Sequence, residues 1–337
     1  MKKLLSLLII VVFTFSLLVS CSNKEKDSSL KTIKLSEVVR SIFYAPMYAS
    51  ISEGFFKEEG LNIELSTAQG ADKTVQEVLS KNADIGFCGP EQIVYLYNQG
   101  REDFGTIFAQ LTQMDGAFLV SKDNKEFKWS DVKGKTIIGG RPGGVPEMTL
   151  EHVLKKNGIQ PFKDVNIITN LAFNATAGAF KTGTGDYISS FEPTSSLLEK
   201  ENAGKVVKSI GEEAGEICYT SFFSTKEYIS KNKDTVQKFT NAIYKGQLWV
   251  EKTPSSEVAK SIIKFFPGSD EKDLAKIIDR YKEIGAFSKT PIVSESGLNN
   301  LFDIIEGYNK DLIKKRPNPS EILTNEFSKK SVGNVDE

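Results

Sequence analysis

The stretch YAPMYASISEGFFKEEGLNIE, from Tyr44 to Glu64, contains a predicted helix and the beginning of a strand in close succession. The proline at position 46 favours a helix start, because its missing N–H group costs nothing in the first turn. We expect this helix to end at Gly54, since glycine readily adopts the left-handed conformation that closes many helices. Apolar and polar residues then alternate over 61–65, which is the period of a strand. With the alternating segment 33–38 before it, the stretch predicts a β-α-β unit.

Strand and helix patterns continue to alternate after this unit. The next predicted elements are a helix, a buried strand, a helix and two strands, at 72–80, 84–88, 90–99, 107–111 and 117–121. After a charged stretch, a second alternating series begins at Thr136, and long amphipathic helices are predicted between residues 235 and 314. Alternation at this spacing indicates an α/β fold, in which helices cover both faces of largely parallel sheets.

Composition excludes some classes of partner. The 337 residues carry 43 basic and 44 acidic side chains, a formal net charge of −1. A chain with so little net charge has no field that attracts a polyanion, so no nucleic-acid partner is expected. Arginine is scarce, and an arginine inside a motif is therefore informative; the five are Arg40, Arg101, Arg141, Arg280 and Arg316.

The amino terminus has the layout of a secretory signal peptide over residues 1–20. Two lysines precede an apolar run from Leu4 to Val19. That run ends in Leu-Val-Ser-Cys, which resembles the lipobox of bacterial lipoproteins, so Cys21 is the expected lipidation site. An ordinary signal peptide with a chance cysteine is the alternative. The polar segment 21–32 predicts a flexible tether behind a lipid anchor.

Cysteine and histidine usage argues against a metal site, a cofactor or catalysis. Cys88 and Cys218 each lie in an apolar stretch, which favours buried thiols, with a disulfide as the alternative. His152 is the single histidine, and no motif with metal-ligand spacing occurs. No nucleophile motif such as GxSxG accompanies it. We therefore expect a protein that is not an enzyme and that needs neither a metal nor a cofactor.

The stretch from Tyr44 to Glu64 resembles the opening of one branch of ABC-transporter substrate-binding proteins, the nitrate/sulfonate/taurine and thiamine-precursor branch. Three further segments follow in that family's order, namely 82–86 (NADIG), 131–137 (DVKGKTI) and 141–144 (RPGG). The resemblance covers about residues 33–330. It implies a type II periplasmic-binding-protein fold, in which two α/β lobes are joined by two crossover strands with a ligand cleft between them.

This resemblance also implies domain boundaries. The first lobe is expected to comprise residues 33–118 and 225–330, and the second lobe residues 119–224. Residues 331–337 are expected to form a disordered tail. Hinge motion is expected at the crossover strands near Val120 and Phe222.

Ligands of α/β sheets bind beyond the carboxyl ends of strands, so the loops there carry the candidate site. The glycine loop between a predicted strand and a predicted helix offers free amide groups for an anion, and a simple connector is the alternative. Glu91 and Glu192 fall on predicted cleft loops of opposite lobes, although each is also a common type of helix-start acid. The full set of candidate ligand-binding residues is Arg40, Tyr44, Glu91, Thr112, Arg141, Gly143, Gly144, Val145, Phe173, Asn174 and Glu192.

Two ligand classes follow from these candidates. A pair of carboxylates suits a ligand with an amine or amidine-like nitrogen, and nearby aromatic residues suit a flat ring. We expect the latter to include Phe43, Tyr48, Tyr187, Phe191 and Tyr219 besides Tyr44 and Phe173. The glycine loop and Arg141 instead favour an oxyanion such as a sulfonate, taurine or nitrate. We favour a nitrogen-containing heterocycle, similar to a thiamine pyrimidine precursor or to a flavin.

The sequence thus predicts an extracytoplasmic substrate-binding component of an ABC importer. It is expected to act as a monomer at the outer face of the cytoplasmic membrane, held there by its lipid anchor. Its partners are expected to be the small-molecule ligand, the permease and the ATPase subunit. A lipoprotein enzyme predicts turnover by the purified protein, and a ligand sensor predicts no neighbouring permease and ATPase genes.

The lipobox generates a first prediction. The change Cys21→Ala removes the thiol that would be lipidated, so the protein should move from the membrane fraction to the soluble or secreted fraction. Ligand affinity should stay unchanged. Immunoblotting of fractionated cells gives the measurement, and a wild-type protein that is already soluble after export would contradict the anchor.

Overall fold

The computed structural model describes residues 30–123 and 125–335. The predicted signal peptide, Cys21 and most of the predicted tether lie outside the described residues. The first described strand begins at Lys31, two residues before the predicted segment, so the expected tether is shortened at its carboxyl end. Within the described ranges, no helix is both long and apolar enough to cross a membrane.

The first sheet has five strands in the order β2-β1-β3-β10-β4. Its strands are β1 (Lys31–Glu37), β2 (Leu61–Thr67), β3 (Ile85–Cys88), β4 (Thr106–Thr112) and β10 (Thr220–Ser224). Strand β1 runs parallel to β3, with Leu35 opposite Ile85. Strand β10 is antiparallel to both β3 and β4, with Phe222 opposite Phe87 and Ala109. The predicted β-α-β start is therefore present, within a mixed sheet.

The second sheet has five strands in the order β7-β6-β8-β5-β9. Its strands are β5 (Phe118–Ser121), β6 (Thr136–Ile138), β7 (Asn166–Ile168), β8 (Tyr187–Ser190) and β9 (Lys205–Ser209). Strand β6 runs parallel to β7 and β8, and β5 is antiparallel to β8 and β9. We call the parts of the chain around the first and second sheets the first and second lobes.

Helices flank both sheets. Those before β10 are α1 (Ala45–Ser52), α2 (Phe55–Glu58), α3 (Ala71–Leu79), α4 (Glu91–Asn98), α5 (Val145–Lys156), α6 (Thr176–Lys181), α7 (Thr194–Lys200) and α8 (Ile210–Ala214). Those after it are α9 (Lys226–Lys231), α10 (Lys233–Lys252), α11 (Ser255–Ile262), α12 (Glu271–Glu283), α13 (Glu295–Tyr308), α14 (Pro319–Ile322) and α15 (Glu326–Val335). Short 3₁₀ helices lie at Ile42–Tyr44, Trp129–Val132, Phe173–Ala175, Ile263–Phe265 and Lys310–Leu312.

The chain crosses between the lobes through residues 113–117 and 215–219. This corrects the expected boundaries, because residues 220–224 pair in the first sheet and Phe118 already belongs to the second. Strands β5 and β10 are short and consist of apolar or small residues. Such a pattern does not indicate which sheet a strand joins. The predicted hinge positions Val120 and Phe222 therefore lie inside sheets rather than between them.

The carboxyl-terminal residues also differ from expectation. The predicted tail from residue 331 is helical as far as Val335, within α15. Ser331 is buried, and its hydroxyl donates to Asn241 Oδ1 at 2.7 Å. A polar residue with such a buried partner orders the backbone that carries it. The two body cysteines, Cys88 and Cys218, are free buried thiols, as the sequence favoured.

Helix α10 approaches α1 unusually closely at Gly246. A Cβ atom at that position would lie 2.0 Å from Ser50 Oγ and 2.5 Å from the carbonyl oxygen of Pro46. The Ser50 hydroxyl itself lies 2.8 Å from the Pro46 carbonyl and 3.0 Å from that of Ala242. The contact involves backbone, so a methyl group there requires the two helices to separate.

A stability prediction follows from this contact. The change Gly246→Ala should lower the free energy of unfolding by roughly 1–3 kcal/mol, the usual range for overpacking. Gly307→Ala in α13 is the matched control, because that glycine is exposed and nothing lies within 4 Å of its added methyl. The control should stabilise by up to about 1 kcal/mol through helix propensity. Urea denaturation measures both, and equal effects of the two changes would contradict the tight helix contact.

Candidate ligand-binding site

The two lobes meet along a seam formed by α4 of the first lobe and the start of α5 of the second. The Tyr95 hydroxyl donates to the Gly143 carbonyl at 2.9 Å and lies 3.4 Å from Met148 Sδ. The Gly143 amide donates to the Tyr308 hydroxyl at 3.2 Å, from the end of α13. These bonds bring helix α4 of the first lobe next to the glycine loop and the start of α5.

Glu91 is the first residue of α4 and is 2% exposed. Strand β3 ends three residues earlier, and Gly89 makes room for the carboxylate, because a Cβ there would lie 2.1 Å from Glu91 Oε2. Oε1 accepts from Gln92 Nε2 at 3.3 Å, whereas Oε2 has no hydrogen-bond partner among the described residues. Burial raises the pKa of Glu91 to about 7, with the charge of Arg141 acting in the opposite direction.

Asp115 lies in the first crossing between the lobes and is fully buried. Its Oδ1 accepts from the Ala117 amide at 2.7 Å. Its Oδ2 makes no well-formed hydrogen bond in the described part of the chain, although the hydroxyls of Tyr219 and Thr149 lie close to the carboxylate. Burial raises the pKa of Asp115 to about 7. The backbone here is fixed from the second lobe, because a Cβ on Gly211 would lie 2.1 Å from the Asp115 carbonyl oxygen.

Tyr219 lies in the second crossing, close enough to Asp115 and Glu91 for both charges to affect its pKa. It is 5% exposed, and its hydroxyl makes no well-formed hydrogen bond within residues 30–123 and 125–335, although it lies close to the Asp115 carboxylate. Burial raises the pKa of Tyr219, and the nearby charges of Asp115 and Glu91 add to that effect. Buried polar groups normally have partners, so the unpartnered oxygens of Glu91 and Asp115 make this region the candidate ligand site. We call Glu91, Asp115 and Tyr219 the acceptor group.

Aromatic rings lie beside the acceptor group and centre on Phe43. Its ring centroid is 5.8 Å from that of Tyr219, 5.7 Å from Tyr44, 5.0 Å from Tyr281 and 6.1 Å from Phe191. Four of the aromatic residues expected at the site are thus assembled, including one from the second lobe. The other three are elsewhere: Tyr48 stacks on Phe265, Tyr187 packs against Phe127, and Phe173 is 67% exposed.

Glu192 is placed differently from its expected position facing a ligand. Its Oε1 accepts from Arg280 Nη1 at 2.6 Å and from Ser196 Oγ at 2.9 Å, and its Oε2 accepts from the Ser196 amide at 2.9 Å. The carboxylate is fully buried. Because Arg280 lies on α12 of the first lobe, this ion pair joins the lobes, and both oxygens of the expected ligand carboxylate already have partners.

Two other candidates also serve the protein's own structure. The Arg40 guanidinium donates to the buried Glu37 carboxylate at 2.6 Å and to Thr67 Oγ1 at 3.3 Å. Thr112 is fully buried, and its hydroxyl oxygen accepts from the Thr220 amide at 3.1 Å. Their predicted ligand contacts would have to compete with these bonds.

The glycine loop ends at α5, with Gly144 as the residue before the helix and Val145 as its first residue. Arg141 is 60% exposed and lies 4.0 Å from Asp72 of the first lobe. Both backbone groups of Gly143 are bonded to the two tyrosine hydroxyls described above. Asn174 is exposed beside Phe173. An anion at this loop would have to compete with these two bonds for Gly143.

The sequence did not identify Asp115 or Glu147 as candidate site residues, and it identified Tyr219 only as an aromatic residue. Asp115 lies between the predicted strands 107–111 and 117–121, and its acidity alone does not distinguish it from other aspartates. What marks these residues is burial without a partner, which depends on tertiary contacts. Among the described residues, no group of three His, Cys, Asp or Glu side chains could hold a metal ion.

Two α/β lobes of this strand order, joined by two crossings across a polar seam, define the fold of the type II periplasmic binding proteins. The fold expected from the sequence is thereby confirmed. The chain belongs to the NMT1/THI5-like family, whose model matches residues 42–257.

Comparisons with individual proteins agree with this assignment. The chain is 44% identical over 285 residues to a protein of Bacillus subtilis (strain 168) named "Putative binding protein YtlA", covering 84% of each chain. A solved structure from Bordetella bronchiseptica RB50 has a TM-score of 0.74 and 24% identity, over 91% of this chain and 98% of that one. The alkanesulfonate-binding protein SsuA from Xanthomonas axonopodis pv. citri has a TM-score of 0.69 and 14% identity, over 87% and 98% of the respective chains.

The unpaired acid Glu91 generates a pH-dependent prediction. Its pKa in the folded protein, about 7, lies above the usual 4.5. Ionisation of Glu91 therefore disfavours the folded state. Its contribution to the stability of the wild-type protein is lost as the pH rises from about 4.5 to about 7. Glu91→Gln should raise the free energy of unfolding by roughly 3 kcal/mol at pH 8 and by less than about 1 kcal/mol at pH 5.

Glu192→Gln is the matched control for that prediction. Glu192 is equally buried but is paired with Arg280, so its neutralisation should lower stability at pH 8. Urea denaturation of both variants at the two pH values gives the measurement. A Glu91→Gln variant that is no more stable than the wild type at pH 8 would show that Glu91 is not an unpaired buried acid.

Proposed function

We propose that this protein is the extracytoplasmic substrate-binding component of an ABC importer and that it encloses a small nitrogen-containing heterocycle. The observation that carries the proposal is the acceptor group, in which carboxylate oxygens of Glu91 and Asp115 are unpartnered beside Tyr219. The "binding protein" name of the Bacillus relative supports the role, and the two-lobed fold supports capture by hinge closure. The permease and its ATPase subunit are the partners in this role.

The chemistry of the acceptor group favours a ligand rich in N–H donors. Two carboxylate oxygens without cations attract amino groups or protonated ring nitrogens, and hydrogen bonds to charged groups contribute roughly 1.5–3 kcal/mol each. A flat ring also has aromatic neighbours in Phe43 and Tyr44. An aminopyrimidine similar to a thiamine precursor, or a flavin-like ring, combines both properties.

An oxyanion ligand is the second candidate, because the Xanthomonas structure is that of an alkanesulfonate-binding protein. The charges at the seam oppose it. Glu91 and Asp115 would repel a sulfonate when ionised, and the cationic Arg141 is 60% exposed at the loop above them. We therefore place the heterocycle first.

Delivery to a permease requires that the protein bind its ligand without changing it. We propose that the protein acts as a monomer at the outer face of the cytoplasmic membrane, held by lipid on Cys21. Closure brings the glycine loop of the second lobe against Tyr95 and Tyr308, and opening for release breaks these hydrogen bonds. The ligand should be recovered unaltered after incubation, and detectable turnover would favour an enzyme instead.

The ligand class is tested by titration calorimetry. The wild type should bind 4-amino-5-hydroxymethyl-2-methylpyrimidine or riboflavin, and should not bind methanesulfonate, taurine or nitrate. Glu91→Gln and Asp115→Asn should each weaken binding at least tenfold, because each removes a charge-assisted hydrogen bond of roughly 1.5–3 kcal/mol. Arg141→Gln is the control and should have a smaller effect, since its guanidinium lies near Asp72.

The opposite order of effects would overturn the heterocycle. Loss confined to Arg141→Gln, together with wild-type binding of an oxyanion, assigns the second ligand class. Small-angle scattering of the same samples should show a more compact particle with the bound compound. An unchanged profile at saturation would contradict hinge closure.

A further inference from the structure

Glu147 is a third buried acid at the seam, and the proposed function does not use it. It is the third residue of α5 and is 1% exposed. Its Oε2 accepts from the Gly140 amide at 2.6 Å, and its Oε1 has no hydrogen-bond partner in the described part of the chain. Burial raises the pKa of Glu147 to about 7, and the charge of Glu151 adds to this effect.

The two glycines that begin the loop, Gly139 and Gly140, leave space for this carboxylate. A Cβ on Gly139 would lie 2.3 Å from Glu147 Oε2, and a Cβ on Gly140 would lie 3.3 Å from the Glu147 amide nitrogen. Any side chain at Gly139 would therefore displace the carboxylate. The glycine pair admits the side chain of Glu147 between the loop and the first turn of α5.

The position of the carboxylate matters because a helix start attracts anions. Amide groups in the first turn point outward without partners, and the helix dipole favours negative charge there. Gly144, before the helix, provides no side chain to cap these groups. In this protein the anion at the helix start is its own Glu147, which folds back to the loop amide.

This helix start belongs to the seam. Met148, the next residue, lies 3.4 Å from the Tyr95 hydroxyl of the first lobe. Burial is the main reason why the pKa of Tyr308 is raised, and the charges of Glu151 and Glu147 raise it further. Glu147 therefore lies near the Tyr308 side chain. Glu151 lies 3.5 Å from Lys155, whereas no lysine or arginine nitrogen of the described residues lies within 4.0 Å of Glu147.

We propose that Glu147 determines ligand specificity by excluding oxyanions from the start of α5. Its bonded oxygen occupies the Gly140 amide, and its charge, when the carboxyl is ionised, repels a second anion. Its unpartnered oxygen presents one more acceptor to a donor-rich ligand. This inference rests on the proposed function and adds to it the residue that separates the two ligand classes.

The test is titration of the mature protein with methanesulfonate as the probe, followed by calorimetry and thermal unfolding. The wild type should show no saturable binding up to about 50 mM, whereas Glu147→Gln and Glu147→Ala should bind in roughly the 1–10 mM range. The alanine variant should bind at least as tightly as the glutamine variant, because it also frees the Gly140 amide. Glu151→Gln is the matched control on the same helix and should behave as the wild type.

Each outcome decides the inference. If neither Glu147 variant binds methanesulfonate while its melting curve shows a folded protein, the helix start is not an anion site and the inference is wrong. Should Glu147→Ala fail to fold, Glu147→Gln alone decides, because it preserves the shape of the side chain. If Glu151→Gln gains binding equally, the effect is general charge and the specificity role is wrong.

The same experiment separates this inference from the proposed function. Wild-type binding of the aminopyrimidine, with no gain of methanesulfonate binding in the variants, overturns the role of Glu147 alone. Tight wild-type binding of methanesulfonate overturns both the exclusion by Glu147 and the heterocycle.

Discussion

At the seam between the lobes, acidic side chains are buried with one oxygen that has no hydrogen-bond donor, and the rest of the site depends on this constraint. Glu91, Asp115 and Glu147 share one arrangement, in which a neighbouring amide bonds to one oxygen and the other oxygen is left unpartnered. Such groups cost folding free energy, and their raised pKa values express that cost. In the proposed function, the ligand supplies the hydrogen-bond donors that these oxygens lack.

Other buried acids in the same molecule are fully paired and serve stability. Glu37 is bonded by Arg40, Tyr48 and Thr67, and Glu192 by Arg280 and Ser196. These partners lie up to 88 residues away in the chain. The paired acids therefore stabilise the fold, whereas the proposed function assigns ligand recognition to the acids that lack a donor.

The difference between paired and unpartnered acids also shows which features the sequence could predict. The helix that ends near Gly54 and the alternating strand after it follow from local rules, and so does the placement of Glu91 at a helix start behind a strand. Local rules place Glu192 in the same way, yet its partner Arg280 comes from a distant helix that no periodicity connects to it. Similarly, the apolar segment 220–224 has strand character in any sheet, and only long-range pairing assigns it to the first. The acidity of Asp115 was visible, but its burial was not.

The location of two members of the acceptor group has a further consequence for hinge motion. Asp115 lies in one crossing between the lobes and Tyr219 in the other, so in the proposed function the segments that bend also contact the ligand. On that proposal, a substitution at either position affects both ligand preference and the balance between open and closed forms. Ligand preference and hinge motion are then linked through the same residues.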